Sequence, residues 1–410
     1  MSKFSELPLS AVLQTNLARH GFVEATPVQS QAIPPALSGR DIVATAQTGT
    51  GKTLAFVLPM LETLSKQPVT PGVRAVILSP TRELAIQIHE TFVKVAAGTG
   101  FRAAVVVGGL SENTQLRAIR SGAQVLIATP GRLCDFLDRK LVALTAVGCL
   151  VLDEGDRMLD MGFLPAIQAI LKTMPANRQT LFFSATLETS VVGLIHKYIK
   201  DPVRIATSSV TKTADQVDLN LYEVEQDRKL SLLMHLLEEE QGSFLVFART
   251  KHGVEKLAKK LDGIKTGRIH GDRTQAQRNQ ALKGFQKGDY RVLVATDVAA
   301  RGIHVDGIAH VVNYDIPGMA EDFIHRVGRT GRAGSRGVAH TFVTSSERRD
   351  IRQIERTLKI SLVKKPVPTS LAAEVRGPRV ESVQPERGNH NNYSKPRSFA
   401  PRRNSLRRAS

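Results

Sequence analysis

Short apolar runs recur along this chain, with helix-length segments between them. Ile42-Val43-Ala44, Ala75–Leu78, Ala103–Val107, Val125–Ala128, Cys149–Leu152 and Leu181–Phe183 are unbroken, not alternating. Continuous apolarity over a short run is what a strand needs when helices cover both of its faces. Helices between successive strands imply parallel pairing and a doubly wound sheet, with ligands at the carboxyl ends of the strands. Residues 206–216 are polar, have little to bury and read as a linker. The alternation then resumes with Leu219–Val224, Phe244–Phe247, Val292–Ala295, His310–Asn313 and Ala339–Val343. The pattern predicts an α/β chain of two domains, residues 1–206 and 217–364, joined by 207–216.

After Lys364 the character changes. Residues 365–410 hold six of the nineteen prolines, and ten Lys/Arg against three Glu. Such a segment cannot build a core, so a disordered basic tail is expected. Over all 410 residues the net charge is +18 and the pI about 10.1, which points to a polyanionic partner, nucleic acid first. No apolar run approaches the ~20 residues of a membrane span. The N-terminus shows no apolar signal region, so a cytoplasmic protein without a membrane partner is expected. Cys134 and Cys149 lie in apolar or helical surroundings and read as reduced core residues.

Two stretches carry chemistry. Ala46-Gln47-Thr48-Gly49-Thr50-Gly51-Lys52-Thr53 follows one apolar run and precedes a helical one, Leu54–Leu61. Its glycines let backbone N–H groups close around phosphate oxygens, Lys52 would reach the β- and γ-phosphates, and the Thr53 hydroxyl would sit on Mg²⁺. Leu150-Val151-Leu152 runs into Asp153-Glu154-Gly155-Asp156. An acid at the end of a buried strand, downstream of a phosphate loop, is where a Mg²⁺-holding carboxylate belongs, and Glu154 is placed to activate the attacking water.

With these residues in view the chain resembles a DEAD-box RNA helicase of superfamily 2, across about residues 4–345. Phe4, Phe22 and Gln29 match the adenine-reading Q motif, and residues 46–53 match motif I. Pro80-Thr81-Arg82-Glu83-Leu84, Gly108-Gly109 and Thr129-Pro130-Gly131-Arg132 match its first-domain RNA segments, and Ser184-Ala185-Thr186 its motif III. Val246-Phe247-Ala248-Arg249-Thr250 resembles motif IV, and Gln275 and Arg278 stand at the family spacing after His270-Gly271-Asp272. Ala295-Thr296-Asp297 with Ala300-Arg301-Gly302 resembles motif V. His325-Arg326-Val327-Gly328-Arg329-Thr330-Gly331-Arg332 matches motif VI.

The resemblance implies two RecA-like domains, ATP and Mg²⁺ as cofactors, and RNA gripped through its backbone by an expected monomer. Lys52, Glu154 and the finger arginines Arg329 and Arg332 would be catalytic. Phe22, Gln29, Thr48, Gly49, Thr50, Gly51, Lys52, Thr53, Asp153 and Gly302 would bind nucleotide, Thr53 and Asp153 through the metal. Asp156, Ser184, Thr186 and His325 would link hydrolysis to strand separation. Pro80, Thr81, Arg82, Gly109, Thr129, Gly131, Arg132, Arg249, Thr250, Gln275, Arg278 and Thr296 would touch RNA. The activity implied is RNA-stimulated ATP hydrolysis that opens short duplexes or remodels ribonucleoprotein; an ATP-gated RNA clamp is the alternative. The short basic tail resembles RhlE-type members most. Two positions depart from the family pattern. Gly155 replaces Ala; if its backbone suits other residues, Gly155→Ala is expected to stabilise the fold by ~0.4–1 kcal/mol. His304 replaces the Asp that contacts the ATP ribose, and reads as a neutral surface or core group.

Overall fold

The computed structural model describes residues 3–46, 50–68, 70–187, 189–207, 217–261, 263–300, 307–331 and 336–373. Thr48, Gly49, Gly302, His304, Arg332, positions 208–216 of the expected linker and 374–410 lie outside the described residues.

The first sheet is built from β1 (Ile42–Thr45), β2 (Ala75–Leu78), β3 (Ala103–Val106), β4 (Val125–Ala128), β5 (Cys149–Leu152), β6 (Gln179–Ser184) and β7 (Val203–Ala206). All pairings are parallel, in the order β3-β4-β2-β5-β6-β1-β7. The second comprises β8 (Val217–Glu223), β9 (Phe244–Phe247), β10 (Thr266–Ile269), β11 (Val292–Ala295), β12 (His310–Asn313), β13 (Gly337–Val343) and β14 (Val363–Lys365). It is parallel too, ordered β10-β11-β9-β12-β13-β8-β14. Each sheet has an apolar cluster on either face, so its inner strands are buried on both sides. That is the arrangement the unbroken apolar runs demand.

Three strands have no counterpart among the expected runs. β7, β10 and β14 are sheet edges with only one pairing partner, and polar residues such as Arg204, Arg268 and Lys364 sit in them. An edge strand is held by backbone pairing on one side and needs no continuous apolar face. The expected tail boundary also shifts. Lys365 pairs within β14, and Val367 and Leu371 pack on the second sheet's core. The Ser231 hydroxyl donates to Ala372 O at 2.7 Å, so the chain stays packed to the end of the described part, at 373. Two isolated apolar residues among prolines and lysines carry no periodic signal.

In the first sheet β5, β6 and β1 are consecutive neighbours. Their carboxyl ends deliver the Asp153 turn, Ser184-Ala185-Thr186 and the phosphate loop side by side.

Candidate functional site

The helix Lys52–Lys66 starts at the end of the phosphate loop, where Gly51 has φ +85°. A Cβ there would lie 2.4 Å from Gln29 Nε2, so both backbone and space call for glycine. Gln29 caps the helix Pro27–Leu37: its Oε1 accepts from Thr26 N at 2.8 Å, while its Nε2 donates to Gly51 O at 2.9 Å. The Thr26 hydroxyl adds a bond to Thr50 O at 2.7 Å. Gln29, expected at an adenine edge, is thus buried and ties one helix to the loop; its amide keeps one N–H and one lone pair beyond these bonds. Phe22 is half-buried against the first sheet's core. Lys52 is buried, with Nζ donating to Ala46 O at 2.9 Å, so its ammonium folds back across the loop. Thr53, next in the same helical turn, is half-buried.

The carboxylates stand beside this loop. Glu154 adopts φ 51°, ψ 54°, a left-handed conformation that costs a β-carbon residue about 1–3 kcal/mol. Asp153 Oδ1 accepts from Glu154 N at 3.0 Å, and Arg157 Nη1 meets Glu154 Oε2 at 2.9 Å, with both side chains out of water. Burial would raise the Glu154 carboxyl, but Arg157, Lys52, Arg329 and His325 override it and hold Glu154 well below the ordinary range. Burial wins at Asp153, which stays well above its ordinary value despite Lys52. Asp156 links the turn to the end of β6. Its Oδ2 accepts from Ala185 N (3.0 Å), Thr186 N (2.8 Å) and Thr186 Oγ1 (3.0 Å), and its own N–H donates to Ser184 Oγ at 3.2 Å.

Arg329 and His325 come from the second sheet's side of the molecule. Arg329 is buried, and its Nε donates to His325 O at 3.1 Å. Burial pushes His325 below its ordinary pKa against the pull of Asp156 and Glu154. Arg326, between them, is a buttress. It grips Asp297 at 2.5 and 2.7 Å, Asn313 Oδ1 at 3.1 Å and Asp315 O at 2.6 Å, with its guanidinium 5.0 Å from the Phe247 ring centre.

Of the residues expected on RNA, Pro80 and Thr81 are buried, and Thr81 caps the helix Arg82–Val95 by accepting from Leu84 N. Arg82 lies over Gly109, where φ is +77° and a Cβ would stand 2.0 Å from its Nη1. Thr129 precedes the helix Pro130–Asp138, Gly131 is exposed, and Thr296 is half-buried after β11. Arg249 is 61% exposed and Thr250 caps the helix Lys251–Lys260. Three others are engaged by carboxylates of the protein itself. Arg132 pairs with Glu112 (3.3 Å) and Asp135 (3.8 Å) and lies 5.5 Å from the Phe136 ring centre. Gln275 and Arg278 are buried and meet Glu83 of the first sheet's helix, each at 3.0 Å. In this structure they bridge the two sheets' helices.

Sequence reading passed over Arg157, Glu83 as an inter-sheet acid, Arg326 and Gln115. Gln115 clamps the Gly108-Gly109 turn, accepting from Val107 N and donating to Val107 O, both at 3.0 Å. Only Arg157 left a local signal, one helical turn beyond Glu154; the others depend on contacts distant in sequence. The Gly155→Ala expectation is corrected by the packing around it. A Cβ at 155 would lie 2.2 Å from Phe182 Cζ, so the substitution meets a steric block.

Two family models match this chain: DEAD/DEAH box helicase over residues 26–194, and the helicase conserved C-terminal domain over 228–334. The DEAD-box ATP-dependent RNA helicase CshA of Bacillus subtilis (strain 168) is 40% identical over 369 residues, 89% of this chain and 74% of that protein. The ATP-dependent RNA helicase CshA of Limosilactobacillus reuteri is 41% identical over 371 residues, 90% of this chain and 74% of that protein. Among solved structures, Mss116p bound to ssRNA and AMP-PNP matches with TM-score 0.83 at 28% identity, over 90% of this chain and 80% of that one. S. cerevisiae Dbp5 bound to RNA and ADP BeF3 matches with TM-score 0.80 at 30% identity, over 89% and 96%.

Proposed function

The chain belongs to the DEAD-box family of ATP-dependent RNA helicases, and from that premise we propose how its residues divide the work. ATP is hydrolysed between the two sheets. Lys52 holds the terminal phosphates, Glu154 accepts the proton of the attacking water, and Arg329 with Arg332 neutralises charge on the transferred phosphoryl group. The observation that carries this reading is the electrostatic environment of Glu154: Lys52 and Arg157 from the first sheet and Arg329 and His325 from the second all lower its pKa. A carboxylate kept ionised by groups from both sheets is ready to act only where the sheets meet.

The donor set also fits Mg²⁺. Asp153 is buried with its charge undercompensated by the protein, and a hydroxyl, Thr53, stands in the first turn after the phosphate loop. Thr53 and Asp153 would hold the ion, which when bound supplies positive charge to phosphate oxygens. Asp156, through Ala185 and Thr186, carries changes at the carboxylate turn into the segment after β6. His325 faces the same acid from the other side. Thr81, Thr129 and Thr250 at helix starts and the glycines beside them suit backbone phosphates and 2′-hydroxyls, so RNA is bound without regard to sequence.

The work proposed is local opening of short duplexes in the cytoplasm by a monomer. The RhlE-type assignment expected from the tail gains no support from relatives named CshA, and the assignment stands at the family. Among the described residues no helix is long and apolar enough to cross a membrane. The test pairs RNA-stimulated ATPase with unwinding of a short duplex carrying a single-stranded flank. Glu154→Gln should keep ATP and RNA binding yet lose about 10²–10⁴-fold in turnover. Near-normal turnover would remove Glu154 from its role. ATPase without unwinding would favour the clamp.

A further inference from the structure

One position in the carboxylate turn, Gly155, has no side chain, and its backbone does not explain why. It is absent from the positive-φ residues, so any L-residue could adopt its conformation. Space is the constraint. A Cβ on Gly155 would lie 2.2 Å from Phe182 Cζ, 2.4 Å from Cε2 and 3.1 Å from Cε1. Phe182 is fully buried in β6, flanked by Leu152 of β5 and Val43 of β1. Its Cζ lies on the Cβ–Cγ axis, so turning the ring about χ2 leaves that atom in place. A change of χ1 would drive the ring into close-packed neighbours, and the strand is paired on both sides. The movable partner is the short helix Gly155–Asp160, which begins at this glycine.

We propose that Gly155 and Phe182 are a size-matched pair, and that Phe182 is a positioning residue whose ring sets where the Glu154–Asp156 turn rests on β6. The catalytic consequence rests on the role given to Glu154 above. Reaching ordinary contact, from 2.2 to 3.4 Å, requires a shift of about 1.2 Å. The shift falls on the two neighbours of position 155. One holds the ion pair with Arg157, the other the bonds to Ala185 and Thr186. Displacements near 1 Å at reacting groups cost ~10²-fold in rate. Leucine at 182 would lack the colliding ring atoms and leave room for a methyl group at 155.

The test uses the full chain and three variants: Gly155→Ala, Phe182→Leu and the double substitution. ATP turnover at saturating RNA, ADP affinity and melting temperature are measured for each. Gly155→Ala should lose about 10²-fold in kcat with ADP affinity near wild type, and the double variant should regain most of that loss. A fully active Gly155→Ala, or a folded double variant as slow as the single one, overturns the proposal. If Gly155→Ala does not fold, a folded, active double variant supports the pair and an inactive one overturns it. If the wild-type protein shows no RNA-stimulated ATPase, the functional reading fails instead. The pair is then judged by melting temperature: suppression of the Gly155→Ala loss by Phe182→Leu supports it, and additive losses refute it.

Discussion

Arg157 and Glu154 form an ion pair that neither residue could leave cheaply, because both are buried. Removing one partner of such a pair costs about 3–5 kcal/mol, since the other charge stays desolvated. Arg157→Met should therefore lower stability by about that amount in denaturant unfolding. It should also move the acid limb of the ATPase pH profile upward, because burial then acts on Glu154 with less opposition. A profile unchanged in shape would show that Arg157 serves folding alone. A second buried pair lies far from this site. His310 Nε2 donates to Gln241 O at 2.8 Å, and its Nδ1 lies 3.2 Å from His340 Nε2. His340 Nδ1 is left without a donor, and burial, with help from His310, pushes His340 down to about 3. A histidine neutral in the fold and protonated when unfolded contributes stability above pH 6.5 that is lost on acidification towards 3. Unfolding free energy should fall by up to ~1.4 kcal/mol per pH unit across that window. His340→Gln should flatten the slope, measured by urea titration at several pH values; an equal slope would clear His340.

At the scale of elements, edges and centres of the sheets obey different rules. Central strands such as β5 and β9 are buried along their whole length, and apolar residues there are obligatory. β14 is exposed on its side chains and is held by its parallel pairing with β8 and by the packing of Val367 and Leu371. Ending the chain after residue 373 should leave the melting temperature near that of the full protein. Ending it after 362 should lower it clearly, because β8 then becomes an open edge and the adjoining apolar cluster loses Val367 and Leu371. Equal melting temperatures for the two truncations would mean that β14 contributes nothing.

At the scale of the whole molecule, Glu83 with Gln275 and Arg278 joins the two sheets' helices through a buried ion pair. Glu83→Gln leaves the Arg278 guanidinium buried without its countercharge. The expected result is a wider separation of the two halves in ATP and RNA, read by fluorescence transfer, with reduced RNA-stimulated turnover. Segment 374–410 carries nine Lys/Arg against three Glu. If about half of those cations meet phosphates, its removal should make the log–log salt slope of RNA binding shallower by ~3. Superimposable slopes would show that the segment does not touch RNA.

The sequence by itself determined the inner strands, the parallel architecture, the phosphate loop and the acid turn. These rest on local facts: unbroken apolar runs bounded by helices, glycines before Lys52-Thr53, and acids directly after Leu152. Tertiary structure alone decided the rest. The edge strands β7, β10 and β14 exist because a neighbour offers them a backbone ladder. Gln275 and Arg278 turn to Glu83 because packing brings residues nearly two hundred positions apart within 3.0 Å and out of water. Gly155 reads in sequence as a place where alanine would stabilise the fold, yet the Phe182 ring fills the space where its Cβ would go. A contact of that kind depends on how two segments meet, and neither segment records it alone.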